Sequence, residues 1–147
     1  MNEPLIDSST EIVLISNRFV KVWQEDVKST TIICEICTNY IPEQNFKETF
    51  EFIADQVRYS KVRISKIVFD KRMLTTFHQG SMTWYHVEWK PKMLAYGLKT
   101  YYKILPKDAF FRKSVQIGRE RITSDNPNFD WDKYDIQYFE TLQEAMA

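Results

Sequence analysis

In this 147-residue chain, two cysteines, two histidines and one charged run are the side chains whose type and spacing could do chemistry. Cys34 and Cys37 stand in C-x-x-C spacing. Redox use of that motif needs the first thiol at a helix N-terminus, where the dipole lowers its pKa, and zinc needs ligands turned to one point. Here the pair falls in a β-rich run, residues 30–37, and strand residues three apart point to opposite faces. Buried strand cysteines with no redox or metal role are therefore expected. His78 and His86 lie at or in one helix, roughly 12 Å apart along its axis, too far to share a metal. With no nucleophile beside either, both read as ordinary histidines.

The remaining candidate is Asp70-Lys71-Arg72, followed by Thr75, Thr76 and Ser81 and then by a helix carrying Trp84, Tyr85, Trp89 and Tyr96. Asp70 ends a strand, and in open α/β sheets ligands bind outside the carboxyl ends of strands. Asp70, Lys71, Arg72, Thr75, Thr76, Ser81, Trp84 and Trp89 form the candidate ligand or partner surface. The competing reading is structural: Asp70 caps the next segment, and aromatics at helical spacing make core. Arg112-Lys113 and Arg119-Glu120-Arg121 read as helix surface charge, and Asp125, Asp130, Asp132 and Asp135 lack the pattern of a calcium loop.

Composition narrows the classes. Twenty basic residues balance twenty acidic ones, leaving no net field to hold a phosphate backbone, so nucleic acid is not an expected partner. With only three glycines, at 80, 97 and 118, no phosphate loop or dinucleotide fingerprint can be assembled, and no other catalytic motif occurs. No cofactor and no catalytic residue are expected. The apolar runs fall far short of the ~20 residues of a membrane span. The polar, acidic start resembles no secretory signal, so a cytoplasmic location and reduced thiols are expected. A flexible tail over 1–10 and a single domain over 11–147 follow.

Periodicity supplies the elements. Residues 12–15 and 18–24 read as extended chain and 30–37 as a second β-rich run, joined by polar residues 25–29 into an antiparallel hairpin. Pro42 opens a helix whose stripe is Phe46, Phe50, Ile53 and Val57. A strand over 64–69 follows. A second helix over 79–96 carries Met82, Tyr85, Trp89, Met93 and Tyr96, is kinked at Pro91 and is closed by Gly97. Residues 99–105 form a strand, Asp108 caps a third helix with Phe111, Val115 and Ile122 on one side, and 123–132 is a loop. A last strand spans 134–139, and Thr141 to Glu144 form a capping box for a short final helix. The expected fold is α/β, β-β-α-β-α-β-α-β-α, a mostly parallel sheet with an antiparallel N-terminal hairpin and helices packed on it.

Local residues point to a family. Asn17, Phe19 and Val20 run to Thr31-Ile32-Ile33-Cys34-Glu35 through the hairpin; Phe69-Asp70-Lys71-Arg72-Met73 ends the third strand; Trp84 and Trp89-Lys90-Pro91 stand in the next helix; Gly97-Leu98-Lys99 opens the fourth strand; and residues 138–146 read YFETLQEAM. From about Asn17 onward the chain resembles the STAS (SpoIIAA-like) domains, the fold of sporulation anti-sigma-factor antagonists and of the cytoplasmic tails of sulfate transporters. Within that superfamily it is similar to small stand-alone bacterial STAS-like proteins, whose fold is similar to that of CRAL-TRIO lipid-transfer domains. Regulatory members carry a phosphorylated serine directly after an aspartate in the loop following the third strand. Here Lys71 follows Asp70, which puts that switch in doubt, although Thr75, Thr76 and Ser81 lie near.

The resemblance implies a non-enzymatic regulatory or interaction domain, acting by protein–protein contact or by small-ligand sensing. The alternative it implies is a carrier of a small apolar ligand or lipid. The N-terminal hairpin offers an edge through which a homodimer could pair.

Overall fold

The computed structural model describes residues 10–147; apart from Thr10, the expected tail lies outside the described residues. Six strands form one sheet in chain order: β1 (Ile12–Ser16), β2 (Val20–Gln24), β3 (Thr31–Ile36), β4 (Lys66–Asp70), β5 (Thr100–Ile104) and β6 (Asp135–Phe139). β1, β2 and β3 run antiparallel, and β3 to β6 run parallel.

The α/β class and the mixed sheet match the sequence reading, with one correction. Residues 12–24 make two strands instead of one, so the chain begins β-β-β. Asn17 causes the break: its side-chain oxygen accepts from the backbone N–H of Phe19 at 2.8 Å and of Val20 at 3.0 Å. That turn reverses the chain and lays β1 beside β2.

Helix α1 (Glu43–Tyr59) buries the expected Phe46, Phe50, Ile53 and Val57. Helix α2 covers 79–94 in three pieces, α-helical over Gln79–Trp84, π-helical over Tyr85–Trp89 and α-helical again over Lys90–Leu94. The irregularity expected at Pro91 is therefore taken up just upstream, where the Lys90 N–H bonds the Tyr85 carbonyl in a widened turn. This turn brings His86 and Lys90 inward alongside Tyr85 and Trp89, and all four are buried. Helix α3 (Ala109–Asp125) is capped by Asp108, whose carboxylate accepts from Phe110 N. It runs three residues into the expected loop. Helix α4 (Leu142–Met146) starts from the complete Thr141/Glu144 capping box.

Because the parallel strands follow one another in order, right-handed crossovers place α1, α2 and α3 on one face of the sheet. The main core lies there, built on Val22, Ile32, Cys34, Ile67, Phe69 and Tyr101 with the helices' Phe50, Tyr85, Trp89 and Phe111. Trp89 donates its indole N–H to the Phe50 carbonyl at 2.7 Å, tying α2 to α1. On the opposite face Ala145 of α4 packs against Trp23, Ile33, Val68 and Ile104.

Gly97 ends α2 with φ at +95°, where a side chain clashes with its own carbonyl. Gly97→Ala should lower stability by about 1–2 kcal/mol, measured as a fall in the urea midpoint.

Candidate functional site

The site lies at the carboxyl edge of the parallel strands. Register aligns Cys34, Phe69, Lys103 and Tyr138 across β3, β4, β5 and β6. Side chains alternate along each strand, so these four share the helix-covered face with Ile36, Lys71 and Leu105 two residues further on. Between this floor and helices α2 and α3 is a cavity of about 40 Å³. Its walls are mostly apolar, including Phe46, Phe69, Phe77, Phe111 and Ile122. Its polar lining includes Lys71, Lys103, His86 and Arg119, and contains no aspartate or glutamate. Gly118 lets α3 approach α2 here: a Cβ would stand 2.6 Å from the Gln79 side-chain oxygen.

The burial of basic groups is unusual. Lys71 is 5% exposed, Lys103 3% and Lys90 0%, whereas lysine is almost never fully buried unless paired. Among the described residues none of the three forms an ion pair. Lys90 instead has its Nζ 4.3 Å from the centre of the Tyr101 ring, 5.0 Å from that of Tyr85 and 5.5 Å from that of Tyr134. The Lys103 Nζ lies 5.4 Å from the Tyr85 ring, and the Lys71 Nζ 4.6 Å from the Phe69 ring. Cation–π contact replaces only part of the lost hydration. Among the described residues Lys90 Nζ, His86 Nδ1 and the hydroxyls of Tyr85 and Tyr101 are buried without a hydrogen-bond partner.

Electrostatics follow. Burial, then the positive charges of Lys90, Lys71 and Arg119, holds Lys103 well below the usual lysine range. Burial likewise holds Lys90 well down, with Lys71 and Arg119 adding to it. Lys71 is pushed down to about 8, again by burial first. His86 is held well below the ordinary histidine value by burial and by the same cations, so it is neutral at pH 7. Burial also pushes the Tyr85, Tyr101 and Cys34 groups up. Burial thus favours the uncharged forms of Lys90, Lys103 and His86, while Arg119 keeps its charge and would hold an anion beside them.

Arg119 closes the cavity on one side. Its Nη1 donates to the Tyr138 hydroxyl at 2.8 Å, and its guanidinium lies 4.1 Å from the Trp131 ring. Beyond it is an open groove of about 650 Å³ that shares Leu105, Val115, Arg119 and Tyr138 with the inner cavity.

Of the residues singled out from sequence, Lys71, Thr76 and Ser81 line the cavity. Asp70 does not: its carboxylate accepts from Arg72 Nε at 3.0 Å, Nη2 at 2.7 Å and the Arg72 backbone N–H at 3.1 Å. This clamp uses Asp70 up locally and leaves Lys71 without an acidic partner. Thr75 is exposed and bonds the Asn39 carbonyl through both its backbone N–H and its hydroxyl. Trp84 packs edge-on to Phe46 on another side of α2, and Trp89 is core. Ser81 is buried, its N–H donating to His78 Nδ1 at 3.0 Å.

Lys90, Lys103 and Arg119 were not singled out from sequence as site residues, and His86 was read as ordinary. A signal for Lys103 exists in the alternation Tyr101, Lys103, Leu105, which puts a lysine on the inward face of a central strand. For His86 and Lys90 it is the four-residue spacing that stacks them on one helix face.

The expectation of two buried strand cysteines holds for Cys34 and is corrected for Cys37, which follows the last residue of β3 and is exposed; both thiols are free. Among the described residues no three His, Cys, Asp or Glu side chains gather as metal ligands, and no helix is long and apolar enough to cross a membrane. Compared with known proteins, the chain matches no family model, no curated protein and no solved structure.

Proposed function

We propose that the chain is a STAS-like sensing domain that binds a small organic anion in the cavity at the carboxyl edge of its sheet. The observation that carries this is the convergence of Lys71, Lys103 and Arg119, backed by Lys90, on one enclosed space with no facing carboxylate. Uncompensated basic groups cost stability, and an anion supplies the missing charge. The STAS reading rests on the sequence resemblance, supported by parallel strands laid down in chain order with the site at their carboxyl ends. A protein partner would read occupancy from the exposed Arg72 and Met73, which follow the cavity-lining Lys71 in the chain.

The test is thermal unfolding with lactate, pyruvate, acetate or phosphate, each against sodium chloride of equal ionic strength. At a ligand concentration of about 100 Kd the fold should gain about 2.7 kcal/mol, seen as a raised Tm for at least one carboxylate. If no anion moves Tm beyond the chloride control, or if a Lys71→Met/Lys103→Met double variant responds equally, the reading is wrong.

The outer groove favours a second reading, a carrier of a small apolar ligand, because it is larger and walled by Leu105, Val115, Trp131 and Phe139. Native mass spectrometry of freshly purified protein separates the two: a co-purifying apolar molecule supports the carrier, and the bare chain mass opposes it.

A further inference from the structure

We infer that Lys103 is the amine with which this site captures its ligand covalently, as an imine formed with a small 2-oxo acid whose carboxylate is held by Lys71 and Arg119. The inference rests on the anion-site reading above and names the class of ligand.

Three features of the site single out Lys103 among its amines. Lys90 is walled in by the rings of Tyr85, Tyr101 and Tyr134 and does not line the cavity. Lys71 follows the last residue of β4, beyond the floor row and beside Cys34. Lys103 stands in the floor itself, between Phe69 and Tyr138 in the sheet register. It is 3% exposed, and neither an ion pair nor a carboxylate holds it as an ammonium. An amine so placed is a nucleophile in the form that reacts. Around it stand the phenol rings of Tyr85 and Tyr138, the His86 imidazole and three basic groups, Lys90, Lys71 and Arg119, whose charges oppose its protonation.

The ligand class follows from what surrounds that amine. Arg119 is cationic at every working pH, and Lys71, at about 8, is largely so at neutrality. Two cations beside a neutral amine match a carboxylate one bond away from a carbonyl. A cavity of about 40 Å³ holds about three water-sized bodies at roughly 10–15 Å³ each, which suits a two- or three-carbon acid and excludes a fatty chain. Access runs through the outer groove, by parting the Arg119–Tyr138 hydrogen bond that separates groove from cavity.

The step balances without an oxidant or a reductant. The Lys103 nitrogen adds to the carbonyl carbon, forming the C–N bond as the π pair moves to oxygen. That oxygen leaves as water, carrying both protons lost from the amine, and the C=N bond remains.

The experiment incubates the whole protein with pyruvate and sodium cyanoborohydride, then reads intact mass and a peptide map. Reduction of the imine fixes one carboxyethyl group per chain. It should fall on Lys103 in preference to any surface lysine by at least about tenfold, since only about one surface lysine in 2,500 is unprotonated at pH 7. Excess lactate, which has the carboxylate but no carbonyl, should suppress it, and Lys103→Arg should abolish it. Because the map locates the adduct in the unaltered chain, the result does not depend on the variant folding. Adducts scattered over surface lysines, or none at all, overturn the inference. A lactate-dependent rise in Tm without an adduct overturns it while leaving the anion site standing; neither response removes both.

Discussion

Urea denaturation midpoints will rise as the pH is raised from 7 to about 9, and will turn over between about pH 9 and 10.5. The sign comes from the protons each state binds. Lys71, at about 8 in the fold, recovers the ordinary lysine value when the chain unfolds. Between those two values the unfolded chain binds the additional proton, so stability grows with pH by about 1.4 kcal/mol per pH unit, or about 3 kcal/mol over the window. Lys90 and Lys103 act in the same direction and from a lower starting pH, because both are held well down. Their two amines titrate as a coupled pair, so the slope belongs to the pair. His86 extends the effect downward: it is neutral in the fold and charges on unfolding, so stability falls further as the pH drops below 6.5. The opposing groups are Cys34, Cys37, Tyr85, Tyr101 and Tyr134, each pushed up in the fold. Above about 9 for the thiols and 10 for the phenols the unfolded chain ionises and the fold does not, so stability is lost again. A flat or falling profile between pH 7 and 9 would mean that the lysines stay charged in the fold.

Much of the frame supporting that site was legible in the sequence, for reasons that are local. Gly97, the Asp108 cap and the Thr141/Glu144 box each act within one helical turn, and the Phe46–Val57 stripe needs only a regular helix to line up. What escaped depends on longer-range geometry. The turn at Asn17 divides residues 12–24 because a side chain accepts two backbone N–H groups, a choice invisible in a run of β-formers. The π turn ahead of Pro91 was expressed in sequence only as a kink. Of the candidate site, the carboxyl edge at Asp70 pointed to the corner where the cavity lies, but the attractive residue there was the aspartate. Its charge is consumed by Arg72, and the group left over is its neighbour Lys71. Lysine and arginine on strands and helices default to solvent in any sequence reading, so Lys103 and Arg119 become conspicuous only when the register and helix placement turn them inward. Arg121, two residues along the same helix, is exposed as expected.

Lys103→Met should make the protein more stable at pH 7 and unable to capture its ligand covalently. Methionine keeps an unbranched side chain against Tyr85 and removes the amine that the fold must either strip of its proton or bury as an ammonium. Replacing buried charged groups by apolar ones of similar volume is neutral or stabilising by about 1–4 kcal/mol, and Lys103 lacks the ion-pair partner that would normally be orphaned by such a change. The variant's urea midpoint at pH 7 should therefore equal or exceed that of the parent, and its rise toward pH 9 should be shallower. The same variant should form no reduced adduct with pyruvate, while Lys71 and Arg119 still give part of the carboxylate-dependent gain in Tm. The midpoint and the adduct discriminate between roles. A lysine kept for structure would, on replacement, lower the midpoint; the pH slope flattens in either case, because the shifted amine is gone. A lysine kept for binding lowers stability in the empty state and regains it only when an anion arrives, the pattern expected where a functional site is built against the fold's own stability. Removing the amine then separates the two quantities, raising stability while abolishing covalent capture.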